Sequence, residues 1–408
     1  MTLYVLYIDP GTGGALFSII IGIAATLYFV SRALLIKIKT FLSGGRSTVK
    51  NNNIWNYVIY NEGRQYSNLF KPVLEEFEKN KTELLYLTSF LDDPCLDSDW
   101  KFIKHIFIGE GNKAYAYLNF LSARVVLMTT PGLDVYQVKR SKTVSHYSHV
   151  LHAATDAMRY RLFGLDYFDS VLLTGDYQAD DIRFIEKFRG IPKKKLVTVG
   201  CSYLDENEKK INQIPIEDNP RFTVLISPSW GSSALLSLYG EKLLNPLASC
   251  DWRIIVRPHP QSSVSEKQLL ERLQTLYKDN NNIEWDFNSE NIYSMSKADI
   301  MISDFSGIMF DYMFLYDKPV IYTNQDFDPR PYDAGDLDHE LWQFKIIKTA
   351  GFELKENDFI NIIDIIKTAG DNETLSNARK TARETAWQYR GEAGKRVFDF
   401  ITGLINDN

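Results

Sequence analysis

The segment from Ala298 to Tyr322 limits the fold more than any other part of the chain. It contains two short apolar runs, Ile300–Ile302 and Pro319–Tyr322, which predict buried parallel strands. Met309–Leu315 lies between them and predicts a helix, so the segment forms a strand–turn–helix–strand unit. Units of this kind build parallel sheets that are covered by helices.

The turn of this unit places polar side chains where a strand ends and a helix begins. These residues are Ser303, Asp304, Ser306 and Gly307. Free backbone N–H groups and the positive end of the helix dipole lie at such a position, and both favour a phosphate group. Ligands of open α/β sheets also bind outside the carboxyl ends of the strands. The turn therefore predicts a phosphate site, although the same residue types are common in ordinary helix N-caps.

Strand and helix patterns alternate along most of the remaining chain. This alternation predicts an α/β fold with parallel sheets, and 408 residues are enough for two domains. We expect a first α/β domain over residues 51–205 and a second over residues 222–408, which ends in a helical tail. Residues 206–221 carry many charges together with Pro215 and Pro220, so they predict the linker between the domains.

The amino-terminal region predicts a membrane anchor. Ala15–Ile36 is apolar apart from Arg32, and its length is about the 20 residues that a bilayer requires. Basic residues follow it up to Lys50 without an acid, whereas Asp9 is the only charged side chain before it. The positive-inside rule then places the later domains on the inner, cytoplasmic face of the cell membrane. Residues 1–50 would form the anchor and its tether; a helix lying in the membrane plane or in a core is the alternative.

Composition excludes several classes of protein. The net charge of −6 gives no general attraction to nucleic acid. The three cysteines are far apart, which argues against a disulfide framework and a zinc site. The glycines form neither a GxGxxG nor a Walker motif, so no dinucleotide or ATP site is predicted. We expect no cofactor, and self-association into a homo-oligomer stays open.

Four histidines are candidates for function. His146, His149 and His152 lie within one short run, and this spacing allows a weak metal site or ordinary structural hydrogen bonds. In a strand, His146 and His152 would share one face and His149 would take the other. His259 lies between Pro258 and Pro260 at a predicted strand end, a restricted position that favours a functional role.

Two motifs resemble the CDP-glycerol glycerophosphotransferase family, which builds teichoic acids and related polymers. They are Arg257-Pro258-His259-Pro260 and the later Ile302-Ser303-Asp304-Phe305-Ser306-Gly307-Ile308-Met309-Phe310-Asp311-Tyr312. The resemblance covers the region from Val125 onwards. It implies a GT-B architecture, in which two Rossmann-like domains face a cleft.

The resemblance also implies site residues. The family's histidine in the second domain corresponds to His259, and its diphosphate-binding residues correspond to Ser303, Asp304 and Ser306. The trailing carboxylate of the motif corresponds to Asp311.

The family's other histidine corresponds to His152, in the first domain. The sequence departs from the family pattern at Gly307, where a second serine is usual, and at Ala153, which replaces a glycine. The polar loop Ser227–Ser233 follows a predicted strand of the second domain, and we expect Ser229 to contact the donor there.

The implied reaction is transfer of an alditol phosphate, with glycerol phosphate the first choice, from a CDP-activated donor to a lipid-linked or polymeric acceptor. His152 would be the general base, and His259 with Arg257 nearby would stabilise the leaving phosphate. The diphosphate would be held at the helix near Ser306 without a metal. A GT-B glycosyltransferase that uses a nucleotide sugar and a non-catalytic membrane-bound scaffold are the alternatives.

Overall fold

Two parallel sheets with helices on both faces form the described part of the protein. The computed structural model describes residues 54–215, 221–323 and 327–406. The strands of the first sheet are Trp55–Asn61 (β1), Leu84–Thr88 (β2), Ile103–Phe107 (β3), Ala123–Met128 (β4), Val144–Val150 (β5), Ser170–Leu173 (β6) and Lys195–Thr198 (β7). Those of the second are Thr223–Ile226 (β8), Arg253–Val256 (β9), Ile283–Trp285 (β10), Ile300–Ser303 (β11), Val320–Tyr322 (β12) and Phe352–Glu353 (β13).

The helices connect the strands and follow the last one. They are Ser67–Lys79 (α1), Asn112–Asn119 (α2), Gln178–Arg189 (α3), Ser202–Ile211 (α4), Leu235–Ala248 (α5), Ser262–Ser265 (α6), Lys267–Leu276 (α7), Ile292–Lys297 (α8), Ile308–Tyr316 (α9), Trp342–Ala350 (α10), Ile362–Gly370 (α11), Glu373–Ala386 (α12) and Ala393–Asn406 (α13). Short 3₁₀ helices lie at Arg64–Tyr66, Pro94–Leu96, Ala157–Arg159, Asp333–Asp336 and Glu356–Asn361.

Both sheets have a doubly wound strand order. The seven strands of the first run β3-β2-β1-β4-β5-β6-β7, and the six of the second run β10-β9-β8-β11-β12-β13. Every pairing within them is parallel. Strand order reverses between β1 and β4 and again between β8 and β11, and such switch points open a crevice at the sheet edge. The α/β prediction is confirmed.

The strand–turn–helix–strand unit is present as β11, α9 and β12. Ile300, Met301 and Ile302 are fully buried, because β11 lies in the middle of its sheet with helices on both sides. Their apolar side chains point to both faces, which explains why the strand is a continuous apolar run and not an alternating one. We call the β1–β7 sheet with its helices the first domain and the β8–β13 sheet with its helices the second domain.

The last helix does not belong to the second domain. Val397, Phe398 and Ile401 of α13 lie in the core of the first domain, and the Phe398 ring is 4.9 Å from the Phe77 ring of α1. A Cβ at Gly394 would lie only 2.7 Å from the backbone of Pro72, so glycine allows the two helices to approach. The prediction that residues 222–408 form one domain is therefore wrong for α13, whose amphipathic pattern does not reveal which core it covers.

The predicted linker over residues 206–221 is wrong at its beginning. Helix α4 extends through this region to Ile211, and its Leu204 is fully buried. The charges that suggested a loop are paired: Glu206 is almost fully buried and its Oε1 lies 2.5 Å from Nζ of Lys71. A paired charge on a helix cannot be distinguished from a solvated loop by composition alone.

Asp333 and Asp336 connect the segment after β12 to the first domain. The Arg189 guanidinium of α3 lies 2.7 Å from a carboxylate oxygen of Asp166 and 2.7 Å from one of Asp333. Its Nη2 is also 2.7 Å from Asp336. The side chains of Arg189, Asp166 and Asp333 are at most 7% exposed, so solvent screens these ion pairs weakly.

No helix among residues 54–215, 221–323 and 327–406 is long and apolar enough to cross a bilayer. The transmembrane helix predicted at Ala15–Ile36 lies outside the described residues.

We expect Arg189→Met to destabilise the protein, because it leaves buried carboxylates without their cation. Breaking a buried ion pair on one side costs about 3–5 kcal/mol. The matched control is Lys267→Met, which removes an exposed pair at 3.7 Å from Glu271 and should change the stability by about 0–1 kcal/mol. Urea unfolding measures both variants, and equal midpoints for the two would contradict the structural role of Arg189.

Candidate functional site

Asp304 joins the two strands at the switch point of the second sheet. Its carboxylate accepts hydrogen bonds from the backbone N–H of Ser229 at 2.9 Å, Leu235 at 2.9 Å and Ser306 at 3.2 Å. Burial raises the pKa of Asp304, while the Leu235 and Ser229 N–H groups act in the opposite direction. Its oxygens therefore hold three backbone segments of the site together. The predicted contact of Asp304 with the donor stays a prediction.

Ser303 also acts inside the fold. It is fully buried, and its hydroxyl donates a hydrogen bond to the Ser227 carbonyl at 2.5 Å. This bond links the end of β11 to the end of β8. The predicted contact of Ser303 with the diphosphate stays a prediction. Ser229 is also buried, and its backbone N–H donates a hydrogen bond to the Asp304 carboxylate.

Ser306 and Gly307 are placed as a phosphate site requires. Both are half-buried and directly precede α9. The Ile308 N–H donates to the Ser306 hydroxyl oxygen at a long 3.5 Å, so this hydroxyl keeps its own proton for another acceptor. The first N–H groups of a helix have no acceptor within the helix. A Cβ at Gly307 would meet no atom within 4 Å, so the space above the turn is open.

Arg257 connects two strand ends of the second sheet. It is almost fully buried, and its guanidinium donates to the Asp286 carboxylate at 2.5 Å and to the Asn288 carbonyl at 2.6 Å. These bonds fix the loop after β10 against the end of β9. The predicted role of Arg257 in stabilising the leaving phosphate stays a prediction. The partner Asp286 lies on another strand end, which the sequence motif does not indicate.

His259 presents one ring nitrogen to the outside. Its Nδ1 accepts a hydrogen bond from the Gln261 N–H at 3.1 Å, so the neutral ring carries its proton on Nε2. The ring is half-buried, with its centroid 6.3 Å from that of Trp230. Burial lowers the pKa of His259, and the carboxylates of Asp304 and Glu266 act in the opposite direction. The exposed Nε2–H can donate to an anionic oxygen.

His152 follows the end of β5, and two hydroxyl groups contact one of its ring nitrogens. Its Nδ1 lies 3.0 Å from the Thr129 hydroxyl and 3.1 Å from the Tyr160 hydroxyl. The centroid of the Tyr66 ring is 4.9 Å from that of the imidazole. Burial lowers the pKa of His152 to about 4, so the ring is neutral at physiological pH.

The other two histidines of the run have separate partners. His146 Nε2 bonds to the Ser170 hydroxyl at 2.9 Å, whereas His149 is fully buried and bonds to Tyr160 at 3.1 Å. The run up to Val150 is strand β5, and its two histidines make these structural contacts. In the part of the chain that the structure describes, no group of three or more His, Cys, Asp or Glu residues could hold a metal ion.

Asp311 lies on the first turn of α9. Burial raises the pKa of this carboxyl group to about 7, so it is partly protonated near neutral pH. Burial, and next the charge of Asp311, raise the pKa of Tyr203 on α4. The carboxyl group therefore lies near the beginning of α4 and is only half-buried. Its predicted contact with the donor stays a prediction.

A cavity of about 780 Å³ lies between the two domains at the carboxyl ends of their strands. Pro258 and Pro260 line it on either side of His259, and Gln65 and Ser67 line it on either side of Tyr66. We call it the interdomain cavity. Its remaining lining residues come from both domains and are Arg64, Asn68, Phe90, Asp92, Pro94, Tyr203, Asn207, Lys210, Arg257, Ser263 and Asp286–Ile292.

A second cavity of about 760 Å³ borders the other side of the Asp304 turn. Aromatic rings of Phe305, Phe310, Phe327 and Phe344 contribute to its lining. The interdomain cavity is lined by polar and charged side chains from both domains, and it lies next to the segments that carry His259 and Tyr66.

Sequence reasoning missed the residues that connect the His152 segment to the second domain. The carboxylate of Asp156 accepts the N–H groups of Trp342 at 3.0 Å and Gln343 at 2.7 Å, and so caps α10. Arg159 donates to the Phe305 carbonyl at 3.4 Å, which brings a cation to the phosphate turn. No motif marks either residue; only their position after His152 could have indicated a role at the cleft.

A protein-family comparison identifies the chemistry. The sequence model described as CDP-Glycerol:Poly(glycerophosphate) glycerophosphotransferase matches residues 184–403, more than half of the chain. The chain belongs to this family. It is thus a CDP-glycerol glycerophosphotransferase-like enzyme, as the two motifs predict. No curated protein matches the sequence.

Solved structures similar to this glycerophosphotransferase have the same fold. A structure of the wall teichoic acid polymerase TagF soaked with CDPG is 14% identical, covers 86% of this chain and 89% of its own, and has a TM-score of 0.54. A putative UDP-N-acetylglucosamine 2-epimerase from Listeria monocytogenes is 14% identical, covers 87% and 98%, and has a TM-score of 0.59. At these identities the likeness shows the fold alone, and it supports the predicted GT-B arrangement.

We expect Asp304→Asn to lower the stability of the protein and Ser306→Ala to weaken donor binding. An asparagine side chain in place of Asp304 would put an NH₂ group against backbone N–H donors. Each hydrogen bond lost to a charged group costs about 1.5–3 kcal/mol. The free energy of unfolding should therefore fall by at least that amount. Ser306→Ala should leave it within about 0.5 kcal/mol but weaken CDP-glycerol binding roughly 10- to 100-fold. Urea unfolding and calorimetric titration measure the two effects. Unchanged donor affinity in Ser306→Ala would remove Ser306 from the site.

Proposed function

We propose that this family member transfers glycerol phosphate from CDP-glycerol to a hydroxyl group of a lipid-linked or polymeric acceptor, in the synthesis of a cell-surface polymer. Family membership supports the donor class and the reaction type. The acceptor is inferred from the predicted amino-terminal anchor, which would hold the domains beside a membrane lipid.

The proposal rests above all on the interdomain cavity. Its volume of about 780 Å³ lies within the roughly 300–1,000 Å³ that small-molecule sites occupy. One wall contains the prolines that flank His259, and the opposite wall contains the residues that flank Tyr66, against which His152 packs. A donor bound there would lie next to the segments that carry one histidine of each domain. The second domain would hold the donor, and the first would present the acceptor.

The chemistry follows from the groups around this cavity. The acceptor hydroxyl oxygen attacks the β-phosphorus of the donor, and the bond from that phosphorus to the bridging oxygen breaks, so CMP leaves. His152 takes the hydroxyl proton as general base. His259 donates a hydrogen bond from its Nε2–H to the departing phosphate, and the beginning of α9 with Ser306 binds the diphosphate oxygens. This transfer depends on positioning and charge stabilisation.

Donor binding should make His152 a stronger base. Burial lowers its pKa to about 4, and a base this weak removes a proton slowly. The negative charge of a diphosphate bound nearby would favour the protonated imidazole and raise the pKa. The base would therefore gain strength when the donor binds.

The test compares His152→Ala with His259→Ala. His152→Ala should lower CMP release from CDP-glycerol by roughly 10²- to 10⁴-fold, the usual range for a general base, with donor affinity almost unchanged. His259→Ala should lower CMP release and also weaken donor binding, because His259 faces the diphosphate. Titration with CDP-glycerol and a separate assay of CMP release measure the two effects.

His146→Ala is the matched control, because this histidine bonds to the Ser170 hydroxyl on the neighbouring strand. It should retain near-normal turnover. Incubation with UDP-sugars in parallel tests the glycosyltransferase alternative, which UDP release would support. Near-normal turnover by His152→Ala would refute its assignment as the base, and absence of any nucleotide binding by the parent protein would favour a scaffold.

The proposed location is the inner face of the cell membrane, with Ala15–Ile36 as a single-pass helix. The support is the apolar length of this segment and the basic residues after it. A lipid-linked acceptor would then be confined to the same surface as the enzyme.

Deleting residues 1–40 should release the protein into the soluble fraction with its fold intact, because the described core begins at Trp55. Fractionation of cell extracts followed by circular dichroism of the released protein measures this outcome. A truncated protein that still sediments with membranes and resists salt extraction would show that another part of the chain is the main anchor.

A further inference from the structure

A neutral histidine can act as a base only through the ring nitrogen that lacks a proton, so its tautomer matters. Nδ1 of His152 is the nitrogen with protein partners, the hydroxyls of Thr129 and Tyr160. Nε2 makes no hydrogen bond within the described residues, and the ring is half-buried. Which nitrogen carries the proton is set by the bond that the other one makes.

The direction of the Thr129 bond follows from its second partner. The Thr129 hydroxyl is buried and lies 2.8 Å from the Val150 carbonyl oxygen, which can only accept, so the hydroxyl proton points there. The same hydroxyl oxygen is 3.0 Å from His152 Nδ1 and has no second proton to give. It must accept, and Nδ1 of His152 must therefore carry the hydrogen.

We propose that Thr129 is a positioning residue that holds His152 as the Nδ1–H tautomer and leaves the lone pair on Nε2 for the acceptor hydroxyl. This inference rests on the proposed function, in which His152 is the base. It gives a role to a threonine at the end of β4, the strand next to β5 at the sheet edge that faces the cleft.

The surrounding groups agree with this assignment. The Tyr160 hydroxyl lies 3.1 Å from His152 Nδ1 and 3.1 Å from His149 Nε2, but it has one proton. With Nδ1–H already on His152, that proton goes to His149 Nε2. Burial raises the pKa of Tyr160, so the phenol keeps its proton, and burial lowers the pKa of His149, so that ring stays neutral. Each of these bonds then has one donor, and the hydrogen of His149 lies on Nδ1, which has no partner within the described residues.

Thr129→Val and Thr129→Ser separate this role from simple packing. Valine keeps the shape of threonine but removes the hydroxyl, so the Nε2–H tautomer becomes accessible; serine keeps the hydroxyl and loses only a methyl group. We expect CMP release to fall roughly 10- to 100-fold in Thr129→Val, less than the loss of the base itself, and to be largely rescued in Thr129→Ser. CDP-glycerol affinity should be unchanged in both.

Nuclear magnetic resonance of the ¹⁵N-histidine-labelled full chain measures the tautomer directly and needs no activity assay. Only six histidines contribute signals, and His152→Asn identifies the one of interest. We expect His152 to show a protonated Nδ1 and a bare Nε2 in the parent protein, and a mixture of tautomers in Thr129→Val. A protonated Nε2 in the parent protein would overturn the inference, as would full CMP release by Thr129→Val. If the tautomer is as expected but His152→Ala still turns over normally, the assignment of His152 as the base is refuted. The assignment of the tautomer to the Thr129 contact then still stands.

Discussion

The buried carboxylate of Asp304 is the interaction on which the site depends. The loop after β8, the beginning of α5 and the turn after β11 come from separate parts of the chain, and each contributes a backbone N–H to this one group. A buried N–H without an acceptor costs about 1–3 kcal/mol, so the three segments are held where the carboxylate lies. Ser306 and the beginning of α9 owe their position at the cleft to this contact.

Two cations of the cleft have acidic partners. Arg257 is engaged by Asp286, and Lys210 of the cavity wall lies 3.2 Å from Glu290, whereas Arg64 of the same wall is exposed. The negative charge of a donor would therefore meet backbone N–H groups, the Nε2–H of His259 and the guanidinium groups of Arg64 and Arg159. Such dipoles are fixed before the ligand arrives, and they stabilise charge without the reorganisation that water would need.

The sequence predicted the parts of this structure that local pattern determines. Continuous apolar runs such as Ile300–Ile302 indicate central parallel strands, and the polar turn after them indicates the ligand edge. Contacts between distant residues could not be predicted in this way. The motifs that contain Ser303 and Arg257 do not reveal that these side chains bond to Ser227 and Asp286.

The same limit applies to domain assignment and to the residues around His152. An amphipathic helix such as α13 shows that one face is buried but not which core buries it. Thr129 and Arg159 belong to no motif, and they matter because the fold brings them beside His152 and the phosphate turn.

The position of α13 has a consequence for the order of folding during synthesis. Domains generally fold as units from the amino terminus while the ribosome is still adding residues. Here the core around Phe77 lacks Val397, Phe398 and Ile401 until the last segment has emerged. The core of the first domain therefore keeps an uncovered apolar face until the whole second domain has been translated. Contacts between residues so far apart in sequence also slow folding, because a long loop must close before they form.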